Sequence, residues 1–429
     1  MTDDCEVSRP GVVHRRTVLR WGGLAAAGAS VAALAPVDRA AAANAAGTTT
    51  STFNEAFGGV IVQPRSLERW LSSRKTVRQV VCVGDSITQG TVGGFDYEHG
   101  GSGCWVERLA TAMDRAIGPI IGFGFRGVWL GAEAESDTEW QAVGTWTRTK
   151  TSDSFDVCPF GDGLHSNGGA SATLTWTKPT GVTVAGFELY WFFMPGAGNW
   201  QYSVDGGTWV NMGQNLASPD SKLHMFYVPQ AVKTRVQIRA YDGSALCQTP
   251  IAGISVWAQD PRTHPGIIVH NLGRDDFLLD YFVRSNSHGD PLAWLDSVVS
   301  NPGSLAIRPD LLIVMFSNDV MLNNTTLWQS DLVKLVQRVA AYADVLLISP
   351  YEQSGRNTTV QANYRAATKA VAATHGCGLL DLYDAYGAAG DTGWQAANND
   401  GLMYDSLHPS QRGHDDISAR TWRMLRTLS

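Results

Sequence analysis

Beyond its amino end the 429-residue chain has no apolar run near the length of a membrane span, so no membrane-spanning helix is expected after that segment. It has no basic run there either, and its formal net charge of −7 argues against a nucleic-acid surface. No His-Glu-x-x-His occurs, and His408 and His414 are not spaced as paired zinc ligands. The glycine-rich stretch Gly100-Gly101-Ser102-Gly103 lacks the Lys-Ser/Thr of a phosphate loop. No repeat is present, which removes solenoids and propellers. No cofactor is therefore expected, and calcium in a β-rich region is left open. Cysteine is scarce: of six, Cys5 lies in the amino-terminal segment. Cys82, Cys104, Cys158, Cys247 and Cys377 remain, an odd number, so one thiol stays unpaired within a monomer. Cys158 with Cys247 is the preferred pair because both fall in the central region, and Cys82 reads as a buried strand thiol.

What is present begins with an address. Arg15-Arg16 with the apolar, small-residue stretch 21–36 and the alanines after Arg39 reads as a twin-arginine export signal with an Ala-x-Ala cleavage site, over 1–46. An uncleaved anchor is the alternative. The mature protein is then expected to be secreted or extracytoplasmic. Residues 47–75 read as a linker with a short helix near 66–71.

Apolar Val80-Val81-Cys82-Val83 reads as a buried strand, stopped by Gly84-Asp85-Ser86. A serine on a tight turn at the carboxyl end of a strand has its hydroxyl held out for nucleophilic attack. Thr88 stands where an α/β-hydrolase elbow has its second glycine, so that motif is not met. A helix over 105–116 follows. From about 120 to 260 helical periodicity gives way to short alternating strands. One hairpin is signalled by Asp205-Gly206-Gly207 between two aromatic-rich runs. This region, 121–262, is expected to be an inserted all-β sandwich or jelly roll. After it strands near 267–269, 311–316, 345–348 and 378–380 alternate with helices over 291–299, 327–343, 358–374 and 410–428. That alternation predicts an α/β fold, a parallel sheet with helices on both faces, built from 76–120 and 263–429.

Chemistry concentrates at four places. Ser86 is the candidate nucleophile. Asp405-Ser406-Leu407-His408 puts a carboxylate three residues before an imidazole, so Asp405 can take the Nδ1 proton and leave Nε2 to accept the serine proton. Asn271-Leu272-Gly273 and Ser317-Asn318-Asp319 each end an expected strand, where ligands bind in open α/β sheets. The N–H groups of Ser86 and Gly273 and the Asn318 carboxamide would form an oxyanion hole. Each place alone also fits a turn or a helix cap. Their joint order favours catalysis. His414 reads as a support of the last helix; Arg274, Asp275, Asp276 and His99 read as solvated loop residues near the mouth.

Gly84-Asp85-Ser86-Ile87 with Thr88 and Gly90, together with Gly273, Asn318 and His408, resembles the four blocks of the SGNH/GDSL hydrolases. The resemblance covers 76–120 and 263–429. It implies a flavodoxin-like three-layer α/β/α core, ester or acyl hydrolysis by a Ser–His–Asp triad, and a structural part for Asp85. Phe316 replaces the usual glycine of the third block, and Arg274-Asp275-Asp276 stands where the second block often has a later glycine.

Eight of the fifteen tryptophans lie in the central region: Trp129, Trp140, Trp146, Trp176, Trp191, Trp200, Trp209 and Trp257. Ring faces can stack on pyranose C–H faces, although core packing is the commoner use of any one tryptophan. An inserted jelly roll in an exported enzyme of this kind is similar to bacterial polysaccharide and cell-wall O-acetylesterases, which implies an acylated glycan or other small ester as substrate. The competing readings are a secreted lipase or other lipid esterase, and an inactive glycan-binding protein.

Overall fold

The computed structural model describes residues 77–90, 104–116, 119–127, 140–149, 163–166, 171–192, 199–212, 223–240, 251–274, 277–283, 292, 298–299, 307–386 and 392–427. The export signal, the linker, His99, Asp275, Asp276 and the Cys158–Cys247 pair lie outside them.

The chain enters on β1 (Val77–Gly84), turns through the one-turn helix α1 (Ser86–Gln89), and runs through α2 (Trp105–Ala116) into β2 (Ile120–Gly127). In the central region β3 (Gly186–Phe192), β4 (Leu223–Val228) and β5 (Ile251–Trp257) follow, then β6 (Gly266–Gly273). The remainder alternates: β7 (Leu311–Met315), α3 (Thr325–Val339), β8 (Asp344–Ser349), α4 (Thr358–His375), β9 (Gly378–Asp381), α5 (Thr392–Asn399) and α6 (Gln411–Thr427).

Strands β6-β1-β7-β8-β9 lie side by side and parallel, each later strand joined through a helix. This is the doubly wound order in which the chain reverses direction at β1, the place where such sheets bind ligands. Alternation along β1 sends Val81 and Val83 to one face, under Trp328 and Leu332 of α3 and Val371 of α4. Val80 and Cys82 go to the other, under Trp105 and Leu109 of α2 and Ile417 and Met424 of α6. Both faces are thus covered, which is why β1 has no polar alternation. The register levels Gly84 with Gly273 on one side and Met315 on the other, so three strands end at one edge.

The segment expected as an insert shares this sheet. β2 pairs parallel with β6, and β5, β3 and β4 continue antiparallel from β2. A second, five-stranded antiparallel sheet packs on β3–β5 through Trp140, Trp176, Trp191 and Trp200. The hairpin is present: Trp200–Val204 pairs with Val210–Asn211, and Asp205 (φ 53°) and Gly206 (φ 75°) take the left-handed conformations its turn needs. Among the described tryptophans of this central region, Trp140, Trp176, Trp191, Trp200 and Trp257 are buried. The helix expected over 291–299 is not formed at its end, where Val298–Val299 pairs parallel with β4. Adjacent β-branched residues there find an open strand edge, and pairing overrides local propensity.

Candidate active site

Asp85 makes the turn after β1. Its Oδ1 accepts the Ile87 N–H at 3.1 Å and so caps α1, and Gly90 ends the helix with φ 108° and its N–H on Ser86 O. A Cβ at Gly90 would also lie 2.4 Å from that of Cys104. Ser86 is thereby the first residue of a rigid helical turn at the carboxyl edge of the sheet. The other Asp85 oxygen accepts Ser317 N–H and O–H, each at 2.5 Å, and Asn318 N–H at 3.0 Å. Burial pushes this carboxyl up, against the hydrogen bonds from Ser317, Ile87 and Asn318. The residue implied to be structural is therefore the tie between the first and third stations.

The structure brings the expected triad residues together. Ser86 Oγ lies 3.0 Å from His408 Nε2, and His408 Nδ1 lies 2.9 Å from Asp405 Oδ2. The carboxylate fixes the proton on Nδ1, so Nε2 is left to accept the Ser86 hydroxyl. Asp405 Oδ1 accepts the Leu407 and His408 amides at 2.7 and 2.6 Å. Burial alone would raise the Asp405 carboxyl; the bonds from the His408 ring and from the His408 and Leu407 amides outweigh it and hold it below the usual carboxylate range. The turn bearing these residues is closed by the Met403–Pro409 bridge and by Tyr404 N–H on His408 O at 2.9 Å. Trp394 of α5 donates its indole N–H to Asp405 O, and Ser354 N–H reaches Ser406 O.

Asn318 is buried at the start of a 3₁₀ turn, Asn318–Leu322, directly beyond β7. Gln353 donates to Ser317 O at 2.8 Å and is itself locked to Gln361 by two hydrogen bonds. Phe316, at the position usually glycine, is buried and packs edge-on to Phe282 at 5.6 Å. Asp319 accepts Leu279 N–H with both oxygens, at 3.2 and 3.0 Å. Burial, with the neighbouring carboxylates Asp85, Asp280 and Asp331, pushes it up to about 7.

Gly273 stands at the same edge, but its N–H is engaged: it donates to Asn271 Oδ1 at 2.9 Å. The Asn271 carboxamide also reaches Gln89 O at 3.4 Å. A Cβ on Gly273 would sit 2.1 Å from Gln89 N, so glycine is needed there for the close approach of β6 to α1. From sequence Asn271 is named only as the start of this station and is given no role; the signal for one is an Asn two residues before a Gly, the pattern of an Asx turn. Arg274 corrects an expectation. It is buried rather than solvated, its N–H on Gly84 O at 3.0 Å and its guanidinium 5.3 Å from the Phe277 ring. His414 is buried in the first turn of α6. Cys82, Cys104 and Cys377 are buried thiols, and the Asn271 carboxamide reaches Cys104 Sγ at 3.7 Å. Among the described residues no group of three or more His, Cys, Asp or Glu could hold a metal ion, and no helix is long and apolar enough to cross a membrane.

A serine hydroxyl, an imidazole oriented to accept its proton and a hydrogen-bonded carboxylate are the parts of acyl transfer through a covalent intermediate. The GDSL-like lipase/acylhydrolase family matches residues 256–415. A solved structure of a peptidoglycan O-acetylesterase superposes over 85% of this chain and 96% of its own, with TM-score 0.58 and 16% identity. A lipolytic protein of the G-D-S-L family from Veillonella parvula matches 38% of this chain and 82% of its own, at 19% identity and TM-score 0.28. A family 35 carbohydrate-binding module from Clostridium thermocellum matches 28% of this chain and 94% of its own, at 15% identity and TM-score 0.23. No curated protein matches the chain. At 16% identity the first of these likenesses is one of fold, and it spans the parallel sheet and the antiparallel strands together.

Proposed function

The chain is an SGNH/GDSL serine hydrolase acting on carboxylic ester bonds, and from that premise we propose that it is an exported O-deacylase of carbohydrate, removing O-acetyl groups from a cell-wall or related glycan. The observation that carries the mechanism is the continuous chain from Ser86 Oγ through His408 to Asp405, at 3.0 and 2.9 Å.

In this reading Ser86 Oγ attacks the ester carbonyl while His408 Nε2 takes its proton. Asp405, kept ionised, stabilises the imidazolium. The oxyanion is met by the Ser86 N–H and the Asn318 carboxamide, donors fixed in place before the reaction by Asp85. Gly273 N–H becomes a third donor once Asn271 releases it. The ester C–O bond then breaks, and the sugar oxygen leaves with the proton from His408. Water, deprotonated by the same imidazole, releases the carboxylic acid from Ser86. Ser86 itself is 1% exposed, which favours a short acyl group such as acetyl.

Residues 121–262 are read as an inserted β-sandwich layer that shares its inner sheet with the hydrolase core. Export follows the twin-arginine pattern of the amino end.

A panel of esters of increasing acyl length together with O-acetylated glycans tests the substrate class. Acetate release from a glycan, abolished in Ser86→Ala together with fluorophosphonate labelling, is the expected result. Preference for long acyl chains would instead make it a lipid esterase, and labelling that persists in Ser86→Ala would remove Ser86 from the mechanism.

A further inference from the structure

Among the described residues six large apolar side chains are exposed: Val143, Val210, Tyr281, Met321, Leu322 and Tyr404. Val143 and Val210 lie on the five-stranded sheet. The other four are each bound to a station of the site. Tyr404, 56% exposed, precedes Asp405 on the closed turn that carries His408, and its own N–H bonds His408 O. Its neighbour Met403 is buried, so alternation along that turn puts the Tyr404 ring on the solvent side. Met321 and Leu322 end the 3₁₀ turn that starts at Asn318. Tyr281 lies on the short helix Leu279–Val283, which is fastened to the same turn by Leu279 N–H on the Asp319 carboxylate.

The proposed nucleophile is recessed: Ser86 is 1% and Asn318 4% exposed, which suits a small acyl group at the reacting carbonyl. The bulk of any substrate must lie above, against whatever surrounds the opening. The segments that carry the stations are mixed in what they expose: Tyr281, Met321, Leu322 and Tyr404 are exposed on them together with the polar residues Asn323, Asn324 and Ser406. An alkyl chain laid there would desolvate those amides without bonding them, at a cost. A pyranose has apolar C–H faces for the rings and hydroxyls for the amides, so it suits both kinds of neighbour.

The described tryptophans of the antiparallel region do not compete for this role. Five are buried. The ring of Trp209 is covered by the Arg239 guanidinium at 4.0 Å, and Trp146 donates its indole N–H to Val143 O.

We propose that Tyr281, Met321, Leu322 and Tyr404 form the sugar-binding rim of the enzyme, stacking the residues of the glycan chain that flank the acylated one. This rests on the glycan reading above. The test compares Tyr281→Ala and Tyr404→Ala with Tyr281→Phe and Tyr404→Phe, measuring acetate release from an O-acetylated cell-wall glycan. Each alanine variant should raise KM for the glycan by about fivefold to tenfold, the size of one lost ring contact, with kcat little altered. Each phenylalanine variant should restore KM, since the ring face is kept. Val143→Ser and Val210→Ser, on the remote sheet, should leave both constants as they are. A glycan KM unmoved by both alanine variants overturns the rim while leaving the glycan reading intact. So does a fall in kcat and melting temperature that phenylalanine does not repair, because the tyrosines then serve only the fold. If the wild-type enzyme hydrolyses p-nitrophenyl acetate but releases nothing from any O-acetylated glycan, the glycan reading itself falls and takes the rim with it.

Discussion

Asp85 Oδ2 accepts the backbone N–H of Asn318 at 3.0 Å across 233 residues of sequence, so the turn that presents the serine also sets the position of the carboxamide beyond β7. The two stations cannot move independently. Asp85→Ala would leave the Ile87, Ser317 and Asn318 N–H groups without that acceptor, at about 1–3 kcal/mol for each one left buried and unpaired. Urea unfolding of the variant should therefore show a loss of several such increments. The fraction still folded should turn over slowly, because Asn318 is no longer held.

Asn318→Ala is expected to lower kcat by about two to three orders of magnitude with KM little changed, the size of one preorganised oxyanion donor. Asp405→Asn should cost about four orders, since an amide can leave the imidazole in the wrong tautomer. Steady-state kinetics on a small acetate ester reads both. An undiminished kcat in either variant removes that residue from the mechanism.

Asp319 gives a pH dependence with a definite sign. Its folded carboxyl sits at about 7 against an ordinary value of 3.8, chiefly through burial. The folded protein therefore binds this proton more tightly than the unfolded chain does. The stability it contributes is complete below the ordinary carboxylate value and is lost as pH rises through about 7. Melting curves at pH 5 and pH 8 should show a drop in the native enzyme that is smaller in Asp319→Asn. An equal drop in both proteins would place the titration elsewhere.

Excising residues 128–250 in favour of a short Gly/Ser linker is expected to abolish activity on small and polymeric substrates alike. Tyr190 of β3, Met225 of β4 and Ala252 of β5 belong to the same apolar cluster as Phe282 and Phe316 beside Asn318. Removing β3 and β4 would expose that cluster and open an edge on β5. Soluble expression and p-nitrophenyl acetate turnover would check it: an excised protein with native turnover would show that these strands are separable.

The parallel half of the fold was legible because its signals are local. Val80–Val83 is a short apolar run ended by Gly-Asp-Ser, and the helices over 105–116 and 358–375 carry one clean apolar face each. The contact of His408 with Asp405 was legible because the two are three residues apart, and the turn bearing Ser86 because its composition is distinctive. What sequence did not reveal is partnership. Alternation in β3 or β5 announces a strand but not its neighbour, so the join of the antiparallel strands to β2 and β6 stayed hidden. The burial of Arg274 depends on the pairing of β6 with β1, which brings its N–H to Gly84 O, whereas the hold of Asn271 on Gly273 is local and shows in sequence as no more than an Asx-turn pattern. Gln353 and Gln361, which lock the third station, look like any loop and helix glutamines. The exposed tyrosines of the rim are likewise indistinguishable in sequence from tyrosines that fill cores.

The register of β1 bears on the order of events as the chain folds. Its two neighbours are β6 and β7, so Val77 must find Gly266 and Val80 must find Leu311. Until β6 has been synthesised, the strand that ends at Ser86 has no partner on either side, and until β7 has been synthesised it has a partner on one side only. Its apolar run then waits as an unpaired edge, and the loop to be closed is long, which slows folding. The serine's turn is encoded early and assembled late, and a nascent chain stopped anywhere before β7 would have a complete Gly-Asp-Ser sequence and no active site.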